Sequence, residues 1–352
     1  MQWELSQEQE AYRATLREWL ADVAPPETVR AWQDADDAGT FEERFVRDGM
    51  AGVGVPEELG GQGGGVVELA LTAEELGRAA APSAAWLATV LAVPALPAGL
   101  AEESLGGRPA SLLVPADELP VQTPTLDLDR EGRVSGTVPR VLLGGRAASY
   151  VAVVDDGEGR SLRLVNAESG VSAAPRRLLD RSRSVADVYL DRASSVPLAA
   201  DVDEYLARAT DLAGVLVAAD SLGAMGRMLD MTVAYAGQRR QFGVPIGSFQ
   251  AVKHAAATML VGVEAGRSGV YLAAASVDAH DPERALHAAA VKAQVTAEGS
   301  RAADTALTVH GAIGYTWEHD LHLFYKRARL DEHLHGAPAS WNDRLADALS
   351  LV

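Results

Sequence analysis

The sequence contains no cysteine among its 352 residues, and this absence excludes several kinds of protein. A disulfide-stabilised scaffold, a zinc site built on cysteine and catalysis by a thiol nucleophile all require that residue. Lysine is also scarce, because it occurs only at positions 253, 292 and 326 and the other basic residues are arginine. We interpret this arginine excess as codon bias rather than as chemistry.

Positive charge is in deficit as well, since 31 lysines and arginines face 49 aspartates and glutamates, for a net charge of −18. Nucleic-acid binding needs a basic surface, so neither DNA nor RNA is an expected partner. The first ten residues, MQWELSQEQE, lack the basic segment and apolar core of a secretory signal. The charge-free run 79–101 is interrupted by Pro82, Pro94 and Pro97, which argues against a membrane span. We therefore expect a cytoplasmic protein with no membrane partner.

Short catalytic motifs are also missing. The sequence holds no GxSxG nucleophile elbow, no P-loop, no HExxH pair and no GxGxxG between a predicted strand and helix. His310, His319 and His322 lie near Glu318, but no separate ligand pair accompanies the two histidines spaced i,i+3, so no metal is predicted. Hydrolase, P-loop NTPase and zinc-protease functions are therefore unsupported.

What the sequence does contain is enough apolar residues, 48%, to build a large core. The pattern predicts a mostly α-helical protein with a central β unit. We divide it into an N-terminal α-helical domain at 1–106, a reduced middle β domain at 107–199 and a C-terminal four-helix bundle at 200–352.

Local signals support this division. Ser6 followed by Gln9 resembles a capping box, and the glycine-rich stretch 52–65 predicts a loop before a helix at 68–80. Five β-type runs predict a small antiparallel sheet or barrel: ASLLVPA, RVSGTV, SYVAVVDD, SLRLVNA and ADVYLDR. Four long helical segments follow, near 201–237, 249–278, 281–308 and 318–350.

The stretch YAGQRRQFGVPIGSFQAVKH, 235–254, is the most informative. A helix ends at two arginines, where a helix C-terminus favours cations, and Ser248 can cap the next helix, whose N-terminus favours anions. Phe242 is available to pack against a flat ring. These features suit a bound pyrophosphate, although a well-capped helix–turn–helix corner explains the same pattern.

Three stretches together resemble the signatures of the acyl-CoA dehydrogenases. They are GVGVPEELGGQGGG followed by EELGRA, RRQFGVPIGSFQAVKH, and HGAIGYTWEHDLHLFYKRA. The resemblance covers nearly the whole chain. It implies a helical arm, a middle β barrel and a four-helix bundle, assembled as a dimer or tetramer. It also implies FAD, an acyl-CoA thioester substrate, a glutamate that removes the α proton, and electron-transferring flavoprotein as the partner that accepts electrons.

Carried over by position, the resemblance implies one set of FAD-binding residues, which in the family typically reach the flavin of the neighbouring subunit. The set is Arg239, Gln241, Phe242, Ile246, Phe249, Gln250, Gly311 and Ala312. Thr308 stands where the family usually has glutamine, which weakens one contact.

The residues that would serve this chain's own active site are missing. No Thr-Glu-Pro stretch followed by Gly-Ser-Asp occurs in 107–199, and the usual catalytic glutamate position, counted from Gly336, holds His335. The alternative glutamate position holds Ala213, and neither Asp211 nor Glu332 fits either position. The pattern alone is typical of a polar helix end at His333 and His335.

These matches and losses predict the non-catalytic subunit of a heteromeric acyl-CoA dehydrogenase, which completes the FAD site of a paralogous catalytic subunit. A bulky CoA thioester is the expected substrate, by resemblance to split enzymes of actinobacterial steroid and lipid catabolism. Two alternatives stay open. One is a self-sufficient homo-oligomer in which the His335 imidazole is the base. The other is a fold member that has lost FAD and performs a non-redox reaction or only assembly.

Overall fold

The computed structural model describes residues 5–349. Six helices precede the first strand: α1 (Gln7–Val23), α2 (Pro26–Ala35), α3 (Gly39–Arg47), α4 (Val66–Arg78), α5 (Ala84–Ala92) and α6 (Ala98–Leu105). The predicted capping box of α1 is confirmed, because the Gln9 N–H donates to Ser6 Oγ at 3.2 Å and the Ser6 N–H donates to Gln9 Oε1 at 2.9 Å. The charge-free run 79–101 supplies the buried helix α5, a 3-10 turn over Val93–Ala95 and the start of α6.

Seven strands form the central unit: β1 (Ala110–Leu112), β2 (Thr125–Leu128), β3 (Arg133–Leu142), β4 (Ser149–Asp155), β5 (Arg160–Asn166), β6 (Val171–Arg176) and β7 (Val185–Leu198). Hydrogen bonds run from β4 through β2, β3, β7 and β5 back to β4, so the strands close into a barrel. The alternative of an entirely antiparallel sheet is wrong, since β1 and β2 both pair in parallel with β4. The short strand β2 and the exposed strand β6 were not among the predicted runs.

Five long helices follow the barrel: α7 (Val202–Gln238), α8 (Gln250–Asp278), α9 (Arg284–His310), α10 (Leu321–His333) and α11 (Pro338–Ala348). The first of these is long and apolar enough to cross a membrane, but 83% of its most apolar window is buried inside the protein. It packs against α4, α8, α9 and α10, which explains its apolar character as that of a central bundle helix.

The predicted fourth segment, 318–350, is not one helix. It divides into α10 and α11 at a break over 334–337, where His335 and Gly336 both have positive φ, at 52° and 98°. Pro338 then occupies the first turn of α11, where its fixed φ suits a helix start. The break fixes the backbone of His335, the residue in the predicted glutamate position.

Candidate functional site

The predicted FAD-contact segment folds as a hairpin at the end of α7. Two short strands, β8 (Arg240–Gln241) and β9 (Val244–Pro245), pair across a two-residue turn. Phe242 and Gly243 form that turn, with φ of 52° and 82°, and successive positive φ values are what a tight type I′ hairpin turn requires. The Phe242 side chain is consequently 91% exposed and meets only the edge of Phe249, at a ring-centroid distance of 6.2 Å.

The start of α8 differs from the prediction. Ser248 does not cap this helix, because its hydroxyl donates back to the Pro245 carbonyl at 2.7 Å. No side chain caps α8, which begins at Gln250. The Val252 and Lys253 N–H groups both donate to the Phe249 carbonyl at 3.1 Å. Among the described residues, the N–H groups of Gln250 and Ala251 are left to meet an anion, as the positive end of a helix dipole favours.

The second predicted segment lies beside the first. Helix α9 ends at His310, whose ring stacks on Tyr235 of α7 at 4.6 Å, and a 3-10 turn follows over Gly311–Tyr315. Gly311 has φ of 61°, and a Cβ placed there would meet no atom within 4 Å, so the space beside it is open. The structure thus brings both segments to one end of the bundle.

We call Arg239–Gln250 together with Gly311–Ala312 the hairpin surface. Arg239 is exposed and forms no ion pair with the residues at 5–349. With the uncapped α8 N-terminus and the open ring of Phe242, it provides cationic, N–H and aromatic contacts of the kind a flavin dinucleotide uses. These groups form one exposed wall, so they fit such a cofactor from one side. The FAD contacts themselves remain predictions.

Thr308, which stands in the usual glutamine position, does not extend this wall. Its hydroxyl donates to the Asp304 carbonyl of its own helix at 2.8 Å. The nearby histidines also form no metal site: within the described residues, no three His, Asp or Glu side chains are placed to share an ion. His310 and His319 instead contact each other edge to face at 4.8 Å.

His335, in the predicted glutamate position, is enclosed. It is 1% exposed, and neither ring nitrogen has a hydrogen-bond partner among residues 5–349. Its backbone N–H donates to Ala116, and its carbonyl accepts from Trp341 Nε1 at 3.0 Å. Burial, with the positive charges of Lys292 and Arg183, lowers its pKa to about 3. The interpretation of this position as a polar helix end is therefore wrong.

A group of buried charges lies next to His335, and we call it the buried ionic network: Asp180, Arg183, Asp220, Arg327 and Asp331. Arg327 Nη1 donates to both carboxylate oxygens of Asp220, at 3.0 and 2.9 Å, and its Nε donates to Asp180 at 2.8 Å. Arg183 donates to Asp220 at 2.6 Å. All five side chains are at least 95% buried.

The network joins the three parts of the chain. Arg327 of α10 donates to the Ala81 carbonyl before α5, and Arg183, just before β7, donates to Ser83 at 2.7 Å. Burial alone would raise the pKa of Asp220, but the two arginines lower it. Burial and the neighbouring Asp220 charge raise the pKa of Asp331 well above its ordinary value. The aspartates are thus held against two arginines inside the protein.

Lys292 of α9 holds the break that contains His335. Its side chain is fully buried and its Nζ donates to the carbonyls of Asp331 and Gly336, both at 3.0 Å. Burial lowers the pKa of Lys292 to about 7, against the opposing negative charges of Asp331 and Glu332. The lysine therefore ties the end of α10 to α9 and fills the interior beside His335.

The other candidate positions for a base hold no free carboxylate. Ala213 is fully buried in α7. Asp211 is buried in ion pairs with Arg344 at 3.0 Å and Arg284 at 3.3 Å. Glu332 accepts from Ser300 at 2.5 Å. Both acids therefore serve contacts between bundle helices.

Sequence reasoning missed the buried ionic network, although two signals point to it. Asp220 is the only acid within the apolar run 212–229 of α7, and such an isolated charge needs a buried partner. Arg327 and Asp331 are spaced i,i+4 on α10, which places both on one helix face. Asp180 and Arg183 of the β unit could be assigned as their partners only once the fold was known.

Comparison with known proteins identifies the family. Residues 6–102 match the family described as "Acyl-CoA dehydrogenase, N-terminal domain", and residues 205–349 match "Acyl-CoA dehydrogenase, C-terminal domain". Acyl-CoA dehydrogenase IpdE2 of Mycolicibacterium smegmatis is 32% identical over 348 residues, which cover 97% of this chain and 98% of that protein.

Two solved structures are similar over almost the full length. The ChsE4–ChsE5 complex of Mycobacterium tuberculosis contains a chain with a TM-score of 0.86 and 25% identity, covering 100% of both chains. The Tcur3481–Tcur3483 steroid ACAD, in its G363A variant, has a TM-score of 0.87 and 25% identity over 98% of both. The order of helical arm, barrel and bundle and the near-complete alignment with IpdE2 lead to one conclusion: this chain belongs to the acyl-CoA dehydrogenase family.

Proposed function

We propose that this chain is the non-catalytic subunit of a hetero-oligomeric, FAD-dependent acyl-CoA dehydrogenase. One contrast carries the proposal: the hairpin surface is exposed, whereas His335, in the catalytic position, is sealed and has no carboxylate. A catalytic partner subunit would bring the base and the rest of the flavin site. FAD would accept the β hydride of the acyl-CoA, and this chain would bind and orient it.

Each part of the hairpin surface has a defined task in this proposal. Arg239 and the N–H groups at the start of α8 neutralise the pyrophosphate, because both present positive charge to it. Phe242 and Phe249 cover an aromatic ring system and exclude water from it. Gly311 lets the backbone approach the adenosine side closely, since no side chain fills that space.

The environment of His335 disfavours the self-sufficient homo-oligomer. A group whose pKa is about 3 is a weak proton acceptor at neutral pH. It also lies behind Trp341 and Lys292 rather than at an opening. Because its ring is 1% exposed, the imidazole is poorly placed to accept a proton from a bound thioester.

The substrate we propose is a bulky CoA thioester of the steroid class. Support comes from the similar solved structure of Tcur3481–Tcur3483, which is described as a steroid ACAD. Electron-transferring flavoprotein is the proposed electron acceptor, on the family resemblance alone.

Co-expression of this chain with its paralogue tests the proposal. We expect a stable complex of both chains in which the flavin absorbance at 450 nm corresponds to one FAD per pair, and which an acyl-CoA substrate reduces. The chain expressed alone should be colourless. Stoichiometric FAD in the chain alone, with reduction by acyl-CoA, would contradict the proposal. A colourless complex would instead support the non-redox alternative.

A further inference from the structure

A cleft of about 750 Å³ shares no lining residue with the hairpin surface. Its walls come from α2, from the segment 177–181 after β6, and from Trp317 with the first half of α10. Trp317 is 70% exposed, with Lys326 Nζ 4.2 Å from its ring centroid and the His322 ring edge-on at 5.0 Å. An open indole backed by a cation is a surface on which a flat ring can stack.

The cleft is positively charged in a protein whose net charge is −18. Arg30 is paired with Asp320, and Arg181 lies 3.7 Å from Asp36. Arg177 and Lys326 form no ion pair within residues 5–349, and the only acid on the cleft wall is Asp34. Two cations are therefore available to an anionic ligand.

Two buried N–H donors beside the cleft also lack hydrogen-bond acceptors among the described residues: Gln33 Nε2 and His322 Nε2. Burial and the nearby Lys326 charge lower the pKa of His322 to about 4, so its ring is neutral at pH 7. The Nδ1 atom lies 3.2 Å from the Lys326 ammonium and accepts from it, which leaves the ring proton on Nε2. Donors without acceptors are uncommon in protein interiors, so the polar wall of this cleft is not fully satisfied by the protein itself.

We propose that this cleft binds a purine nucleotide, with the base on Trp317 and the phosphates at Arg177 and Lys326. The cleft volume lies within the range of small-molecule sites, roughly 300–1,000 Å³. Guanidinium and ammonium groups suit phosphate oxygens. The site shares no residue with the hairpin surface, so it does not depend on the proposed flavin role.

Calorimetric titration of the full chain with ADP tests the site. We expect ADP to bind, and adenosine or inorganic phosphate to bind at least about tenfold more weakly, because each lacks half of the contacts. Trp317→Ala and Arg177→Glu should each weaken ADP binding about tenfold. Both positions are exposed, so folding should be unaffected.

Two control variants match these changes. Tyr315→Ala removes an exposed aromatic ring outside the cleft, and Arg130→Glu reverses an exposed charge on the barrel. Both should leave ADP affinity within about twofold of the unaltered chain. FAD and coenzyme A are titrated in parallel. Tighter binding of either one than of ADP would indicate that the cleft holds the nucleotide portion of a larger cofactor, and weaker binding of both would indicate a free nucleotide.

Three results would overturn the inference. The first is the absence of ADP binding at millimolar concentration. The second is equal affinity for adenosine or for phosphate alone, which would remove the need for either the cations or the ring. The third is ADP binding that Trp317→Ala and Arg177→Glu leave unchanged, since the nucleotide would then lie elsewhere.

Discussion

Two regions of the chain use charge in opposite ways. At the hairpin surface, Arg239 is exposed and unpaired within residues 5–349. In the buried ionic network, Arg183 and Arg327 are enclosed and each donates to carboxylates. The exposed guanidinium can donate hydrogen bonds to another molecule, whereas the buried guanidiniums donate theirs to groups inside the fold. The difference supports the proposed role, in which the chain contributes to a site from its surface while its buried charges stabilise the fold.

The largest expected effect concerns the buried ionic network. Asp220→Ala leaves Arg183 and Arg327 without their shared partner, so the free energy of unfolding should fall by about 3–5 kcal/mol. Urea denaturation measures this loss. The matched control is Asp230→Ala, which removes the half-exposed partner of Arg78 and should cost about 0–1 kcal/mol. Equal losses would show that the network is not a principal source of stability.

The second largest expected effect is the pH dependence of the free energy of unfolding that His335 causes. Its folded pKa of about 3 lies below the unfolded value of about 6.5, so the unfolded chain binds the proton first as pH falls. His335 therefore weakens stability progressively below pH 6.5, by about 2 kcal/mol between pH 7 and pH 5. In His335→Asn this contribution should be absent, and asparagine tolerates the positive φ.

Urea denaturation at pH 7 and pH 5 checks that prediction, with His333→Asn as the control because His333 is exposed. The control should keep the full dependence of the unaltered chain. An unchanged dependence in His335→Asn would mean that the imidazole can be protonated in the folded protein, and the base role of His335 would regain support.

The third effect belongs to the hairpin surface. Arg239→Ala should lower the FAD affinity of the assembled complex about tenfold, because one charge-assisted contact to a phosphate is lost. The measurement is flavin retained at 450 nm after dialysis of the complex. Arg160→Ala, an exposed arginine of β5, serves as the control and should retain the flavin. Equal retention in both variants would argue against a role for Arg239 in cofactor binding.

The smallest expected effect tests whether the hairpin surface contributes to the stability of its own chain. Phe242→Ser should change the free energy of unfolding of the chain alone by less than about 0.5 kcal/mol, because the ring is 91% exposed. Thermal unfolding of the chain alone tests it. A loss above 1 kcal/mol would show that the hairpin packs on its own chain and is not an open wall.

The sequence was most informative where local rules determine the structure. The capping box of Ser6 and Gln9 and the glycine-rich loop depend on neighbouring residues only. The predicted Ser248 cap is wrong because the hydroxyl donates to the Pro245 carbonyl of the preceding turn instead of accepting from α8. The helix break at Gly336 was overlooked, although Gly336 and Pro338 both signal it.

The interior of the site could not be predicted in the same way. Asp180 and Arg327 are separated by 147 residues, and only the packing of the barrel on the bundle brings them to 2.8 Å. The parallel pairing of β1 and β2 with β4 depends likewise on barrel closure. The eight predicted FAD-binding positions remain predictions, because the structure shows where they lie and not what they bind.

Because lysine is scarce, an amine-directed reagent has few side chains in this protein with which it can react. Of its three side-chain amines, Lys292 is fully buried and Lys326 is held against Trp317, whereas Lys253 lies exposed in the first turn of α8. An amine-directed cross-linker applied to the assembled complex would therefore react at Lys253 before the other two. The peptide joined to Lys253 would identify which face of the partner subunit meets the α7–α8 corner.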